Sequence, residues 1–311
     1  MISRIQGLSS EQKGVFYAII AHLFWGAMAW YIHMLRFVNP LEIAVNRSVW
    51  SIPIGLAVAW KFGLLKNIWA IFSDARLMGW FCLTGFLVMF NWTLYIWCIT
   101  SGRTLDASLG YFINPLMNVA AGYIFLGERF TKPQMLAIAM AVFAVVLVTV
   151  ATGVFPIIGL SLAGTFCAYG LIRKTLPVGP VEGFFVEVVL TSIPLACVEY
   201  YLMQAGEAHF GTSAVNTMLL MFCGVLTAGA LLFYATSLKL IRFATVGILQ
   251  YLSPSIVFLT AIFVFEEHLD KWKLIAFSII WLACAIYSVS ALLDERAKAA
   301  ASLDATAKAA A

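Results

Sequence analysis

Arg47 and Glu187 are the two ionisable side chains placed most clearly inside apolar stretches of the chain. A charge at membrane depth is costly, and it persists where it binds substrate, moves a proton or forms an ion pair. Arg47 suits a carboxylate, whereas Glu187 suits an ammonium group or a coupling proton. Nearby stretches supply amides at Asn91, Asn114 and Gln250 and aromatic rings at Trp25, Tyr95, Tyr111, Tyr169 and Tyr234. Such a set can wall a small-molecule substrate and orient its polar groups. At helical spacing, Asn91 and Tyr95 share one face, and Tyr111, Asn114 and Asn118 share another. Each feature also has a plainer reading. Long charged side chains snorkel to the nearer interface, aromatic stripes pack helices together, and amides join neighbouring helices. Arg47 and Glu187 each lie about seven residues from opposite membrane faces, which puts them roughly 10 Å apart in height. A direct ion pair between them needs full extension of the arginine.

The elements that position these groups follow from composition. The chain is 63% hydrophobic and 11% charged, with a mean hydropathy of +0.95, far below the charge content of a soluble domain. A helix needs roughly 20 mostly apolar residues to span the hydrocarbon. Ten stretches qualify, near 14–35, 41–60, 77–99, 105–126, 133–152, 155–172, 180–203, 216–238, 243–265 and 273–293. With the N-terminus in the cytoplasm, fourteen of the nineteen basic residues fall on the inner side, and only Arg36, Arg103, Lys271 and Lys273 lie in outer loops. That asymmetry predicts a multi-pass membrane protein with both termini cytoplasmic.

Two repeat signals divide the chain. Asn114-Pro115 in one apolar stretch corresponds to Ser253-Pro254 in another, and Pro115 to Glu128 and Pro254 to Glu267 are both 13 residues. Pro40, Glu42, Arg47 and Pro53 return as Pro180, Glu182, Glu187 and Pro194. Spans one to five therefore repeat as six to ten, and because five is odd the halves have inverted topology. The expected organisation is a cytoplasmic lead at 1–12, a first five-helix repeat at 13–152, a second at 153–293 and a cytoplasmic tail at 294–311. Pro115 and Pro254 are read as helix breaks that free the carbonyls of Tyr111 and Gln250. Paired interrupted helices in matching places mark a substrate site near the bilayer midplane. The fifth and tenth spans are nearly featureless and are excluded from it.

Other chemistries find little support. The six cysteines read as small buried apolar residues. His22 and His33 are eleven residues apart without a carboxylate on the same helix. His22 is expected to bond a neighbouring carbonyl and His33 to lie near the headgroups. No metalloprotease or nucleophile-elbow motif occurs, so an intramembrane enzyme is the remote alternative, and neither cofactor nor nucleic acid is expected. Glu128 and Glu267 are expected to cap or brace their turns.

The run Asp106 to Leu116, "DASLGYFINPL", with "LGERF" after it and "QYLSP" in the second half, resembles the drug/metabolite transporter superfamily, specifically the EamA family and its RarD-like branch, across residues 13–293. It is also similar to the YddG-type amino-acid exporters, and the resemblance implies a place in the bacterial inner membrane. The resemblance implies an all-α integral membrane protein of ten transmembrane helices, built as two inverted-topology EamA repeats around a central cavity. It also implies export of amino acids or related metabolites by alternating access; RarD-type proteins are labelled as drug or chloramphenicol-sensitivity permeases too. Efflux of drugs or lipophilic cations is the alternative. The expected partners are a small-molecule substrate and the lipid bilayer, with a proton for coupling, in a monomer or weak homodimer.

Overall fold

The computed structural model describes the backbone of residues 9–127, 131–153 and 155–310, with the side chains of 152, 244, 248, 288, 291, 292 and 294–310 outside the description. Among the described residues all regular structure is helical, in the order α1 (Ser10–Met34), α2 (Pro40–Val49), α3 (Ser51–Lys61), α4 (Leu65–Phe72), α5 (Ala75–Thr100), α6 (Thr104–Leu126), α7 (Lys132–Thr152), α8 (Ile157–Thr175), α9 (Pro180–Ala205), α10 (Ala214–Leu240), α11 (Phe243–Leu249), α12 (Leu252–Phe263) and α13 (Lys271–Ala310). Helix starts follow local chemistry. Ser9 and Gln12 close a capping box on α1, and Asp74 accepts from the amides of Arg76 and Leu77 at the head of α5. Prolines 40 and 180 open α2 and α9, where the missing N–H has no helical partner to lose.

Among the described residues eight segments are long and apolar enough to cross a membrane: α1, α2 with α3, α5, α6, α7, α9, α10 and residues 245–263. The expected sixth span is helix α8, which is diluted by its terminal Arg173 and Lys174. The expected tenth lies within α13. Large apolar side chains such as Trp60, Trp69, Val150 and Phe263 stand more than 70% exposed, a surface suited to hydrocarbon rather than water. Cys82 and Cys197 belong to that surface. This corrects the expectation that all six cysteines are buried.

Local structure departs from the sequence expectation in three further places. The second span divides at Trp50, because Pro53 has no amide to donate to the carbonyl of Val49. The loop after it folds into α4, which buries Ile68 and Ile71 against Phe81, Leu176 and Val186. The two proline sites also differ. Helix α6 runs without interruption through Pro115, whereas the second copy breaks at Gln250 and Tyr251. Pro254 thereby falls in the first turn of α12, and the Gln250 carbonyl, expected to be free, accepts from the Ser253 amide at 3.3 Å.

The chain forms two compact units, Met1–Asn118 with Ile157–His268, and Val119–Pro156 with Leu269–Ala311. In the second, α7 packs along α13. In the first, α1 packs on α10 and α12, α5 on α8, and α2 on both α9 and α10. Close approach depends on glycine, as expected for helices in lipid. A Cβ on Gly110 would fall 2.6 Å from the Cα of Gly159, and one on Gly224 would fall 2.5 Å from the carbonyl carbon of Trp50. Buried acids tie distant turns to this unit. Glu42 accepts from the amides of His209 and Phe210 at 2.6 and 2.7 Å, and Glu182 accepts from Asn67. Glu267 caps α6 by accepting from the amides of Thr104 and Leu105 at 2.9 and 3.0 Å, whereas Glu128 lies outside the described residues.

Replacing Glu267 with Ala removes the acceptor for two helix-terminal donors and is expected to lower stability by about 0.5–2 kcal/mol, read as a lower unfolding midpoint in detergent. Gly110→Ala is expected to be at least as damaging, since backbone atoms and not a flexible side chain stand in its way.

Candidate functional site

Three helices each present a pair of side chains three residues apart, hence on one face: His22 and Trp25 from α1, Trp92 and Tyr95 from α5, Tyr111 and Asn114 from α6. Phe166 of α8, and Gln250, Ser253 and Val257 from the α11–α12 break, complete the lining of one chamber. The aromatic wall is continuous. Trp25 meets Phe166 edge-on at 5.4 Å and Tyr234 at 5.2 Å. Tyr95 meets Trp92 and Tyr111, both at 5.4 Å. The space they surround is about 430 Å³, its open mouth included.

The polar groups at the chamber divide into those already engaged and those without protein partners. Asn91 is engaged: its Nδ2 donates to the Leu162 carbonyl at 2.7 Å and to Thr165 at 2.9 Å, and its Oδ1 accepts from the Tyr111 hydroxyl at 2.9 Å. Gln250 accepts from Asn118 at 2.5 Å and donates to the Tyr234 hydroxyl at 3.3 Å. By contrast, both ring nitrogens of His22, the indole N–H of Trp25, the indole N–H of Trp92 and both amide atoms of Asn114 are buried without a hydrogen-bond partner among the described residues. A buried polar group left unsatisfied costs about 1–3 kcal/mol. Four such residues face one space.

Of the residues singled out in the sequence, Trp25, Tyr95, Tyr111, Asn114 and Gln250 line the chamber. Asn91 and Tyr234 stand behind the wall and hold Tyr111 and Gln250. Pro115 and Pro254 are both buried, and α6 and α12 meet through the Ser108 hydroxyl, which donates to the Pro254 carbonyl at 3.1 Å. His22 was expected to bond a carbonyl; instead its ring lies against Trp25 and Tyr234 with its nitrogens unpaired. His22, Trp92, Phe166, Ser253 and Val257 are the chamber residues that sequence reasoning did not select. For His22 and Trp92 the signal was present, since each sits three residues before a selected aromatic.

The charges sort differently from expectation. Glu187 does not approach Arg47. Its Oε1 lies 3.4 Å from the Nε of Arg173, and its Oε2 accepts from the Tyr169 hydroxyl at 3.2 Å. Arg173, read from sequence as an inner-loop charge, is only 1% exposed. Its guanidinium occupies the space where a Cβ on Gly183 would stand, and it donates to the Pro180 carbonyl. Arg47 is also buried, but among the described residues no carboxylate lies within 4 Å of it. Its Nε donates to Thr227 at 3.3 Å and its guanidinium lies 4.3 Å over the Trp92 ring. Arg47 and Glu187 both line a second small space with Thr191 and Thr227.

Glu187→Gln should leave Arg173 buried without its counter-charge, and we expect a loss of about 3–5 kcal/mol, seen as aggregation or a sharply lower unfolding midpoint. The double variant Arg173→Met with Glu187→Leu should recover most of it. A group serving substrate alone would leave the midpoint unchanged.

Comparison with known proteins agrees with this architecture. The profile of the EamA-like transporter family matches residues 12–150. An uncharacterized transporter of Vibrio cholerae is 37% identical over 90% of this chain and 93% of its own length. Protein RarD of Salmonella typhi is 34% identical over 92% and 98%. One crystal structure superposes with a TM-score of 0.65 at 14% identity, covering 90% of this chain and 98% of that one; at that identity it speaks for the fold alone. Relatives aligned over nine-tenths of the sequence, on a bundle of membrane-crossing helices around a buried chamber, place the chain in the EamA-like transporter family, in its RarD-like branch, as a multi-pass membrane transporter.

Proposed function

We propose that this transporter exports a small amphipathic metabolite, such as an amino acid or a related compound, across the bacterial inner membrane by alternating access. The carrying observation is the clustering of unpartnered polar atoms from His22, Trp25, Trp92 and Asn114 inside an otherwise aromatic chamber. Apolar walls take the body of the substrate and the free donors and acceptors take its polar end.

The reading includes ten transmembrane helices in two inverted five-helix repeats, with both termini cytoplasmic. Its support is the pairing of helices. If spans one and three repeat as six and eight, then the packing of α1 on α10 is the counterpart of α5 on α8, and α2 on α9 is its own counterpart. Duplicated halves facing each other across a pseudo-twofold axis would pair in this way. The chamber is lined from both halves, so separating them on one side and then the other would expose it alternately. The breaks at Trp50 and at Gln250–Tyr251 are natural flexing points. Proton coupling through Glu187 loses appeal because Arg173 and Tyr169 already engage both of its oxygens. The same engagement weakens the efflux of lipophilic cations, which needs a free acid.

Purified protein in liposomes should carry at least one amino acid or close relative. Asn114→Ala should reduce that flux by about tenfold or more, in line with losing one or two buried hydrogen bonds, with little change in unfolding midpoint because no protein partner is lost. Absence of flux for every amino acid tested, with or without a proton gradient, would reject the reading. Growth protection against toxic amino-acid analogues, but not against lipophilic cations, should follow from expression in cells.

A further inference from the structure

Resting on the reading of the chamber as the transport site, we propose that it selects an organic anion: the substrate is recognised by its carboxylate, or an equivalent acid group, and needs no ammonium group.

The first support is a count of hydrogen-bonding capacity. The two indoles of Trp25 and Trp92 can only donate, Asn114 offers two donors and one acceptor, and neutral His22 offers one of each. The unpartnered groups of the chamber are thus dominated by donors, and a carboxylate, with two oxygens that only accept, is their complement. An ammonium group, which only donates, would find the Asn114 oxygen and one imidazole nitrogen.

The second support is charge. Glu187 is matched by Arg173, Glu267 by the amides heading α6, and Glu42 by the amides of His209 and Phe210. Arg47 has no such counter-ion among the described residues. It lies on the face of Trp92, the same ring whose N–H is unpartnered at the chamber wall. The unbalanced charge at the site is therefore positive and one aromatic ring away from the substrate space. A buried arginine held by one hydroxyl and one ring is under-solvated, and an anion arriving beside Trp92 supplies what it lacks. A lipophilic cation would meet the opposite field.

Three probes that share a phenylethyl frame separate the cases: 3-phenyllactate as anion, L-phenylalanine as zwitterion and phenethylamine as cation, titrated against the detergent-purified protein by thermal shift. The acid should bind within about threefold of the amino acid and the amine at least tenfold more weakly, tenfold being about 1.4 kcal/mol. In Arg47→Gln the advantage of the acid over the amine should fall by about tenfold, and Arg47→Lys should restore part of it. Equal or tighter binding of the amine, an amino acid that binds while its deaminated acid does not, or no shift with any of the three would each overturn the proposal. The ranking in the unaltered protein stands even if the Arg47 variants fold poorly. Binding with the expected ranking but without flux in liposomes would reject transport while leaving the anion preference intact.

Discussion

Hydrocarbon offers no hydrogen bonds, so a polar side chain on a membrane helix must find its partner within the protein. Many hydroxyls among the described residues do so locally. Thr93, Thr100, Thr149, Thr236 and Ser278 each donate to the carbonyl four residues earlier on their own helix, which satisfies them without reference to any neighbour. The chamber breaks that pattern. His22, Trp25, Trp92 and Asn114 bring hydrogen-bonding atoms to one buried point and leave them unused. The surrounding packing keeps them there, because Tyr111 is held by Asn91 and Gln250 is held between Asn118 and Tyr234.

The buried charges divide along the same line. Glu187, Arg173 and Tyr169 form one cluster in which the acid meets the arginine and the phenol, linking α8 to α9 through side chains. Arg47 is bound by a hydroxyl and an aromatic face, interactions that stabilise a cation without neutralising it. One buried arginine therefore serves the fold, and the other projects its field toward the chamber.

Small residues determine how near these helices come. Gly110 against Gly159 and Gly224 against Trp50 allow backbone-to-backbone contact, which brings rings from α1, α5, α6 and α8 within about 5–6 Å of one another. The chain is already interrupted at Trp50 and at Gln250–Tyr251, where bending disturbs the fewest helical hydrogen bonds.

Much of this protein was legible before any coordinates. Run length and apolarity marked its membrane helices, because lipid thickness is a one-dimensional constraint that a linear sequence can meet or fail. Spacing of three and four put Tyr111 with Asn114 on one face, because helix geometry is local. The family resemblance also rested on contiguous motifs. What only the tertiary structure decided were the pairings. Arg47 and Glu187 look equivalent in the two copies, yet Glu187 belongs to Arg173, a residue that had been read as a loop charge, and Arg47 belongs to Trp92. Similarly, Pro115 and Pro254 occupy matching places, but only the second half breaks. A side chain's partner lies on another helix, at a depth and rotation fixed by packing across more than a hundred residues of chain, and no local pattern encodes that choice.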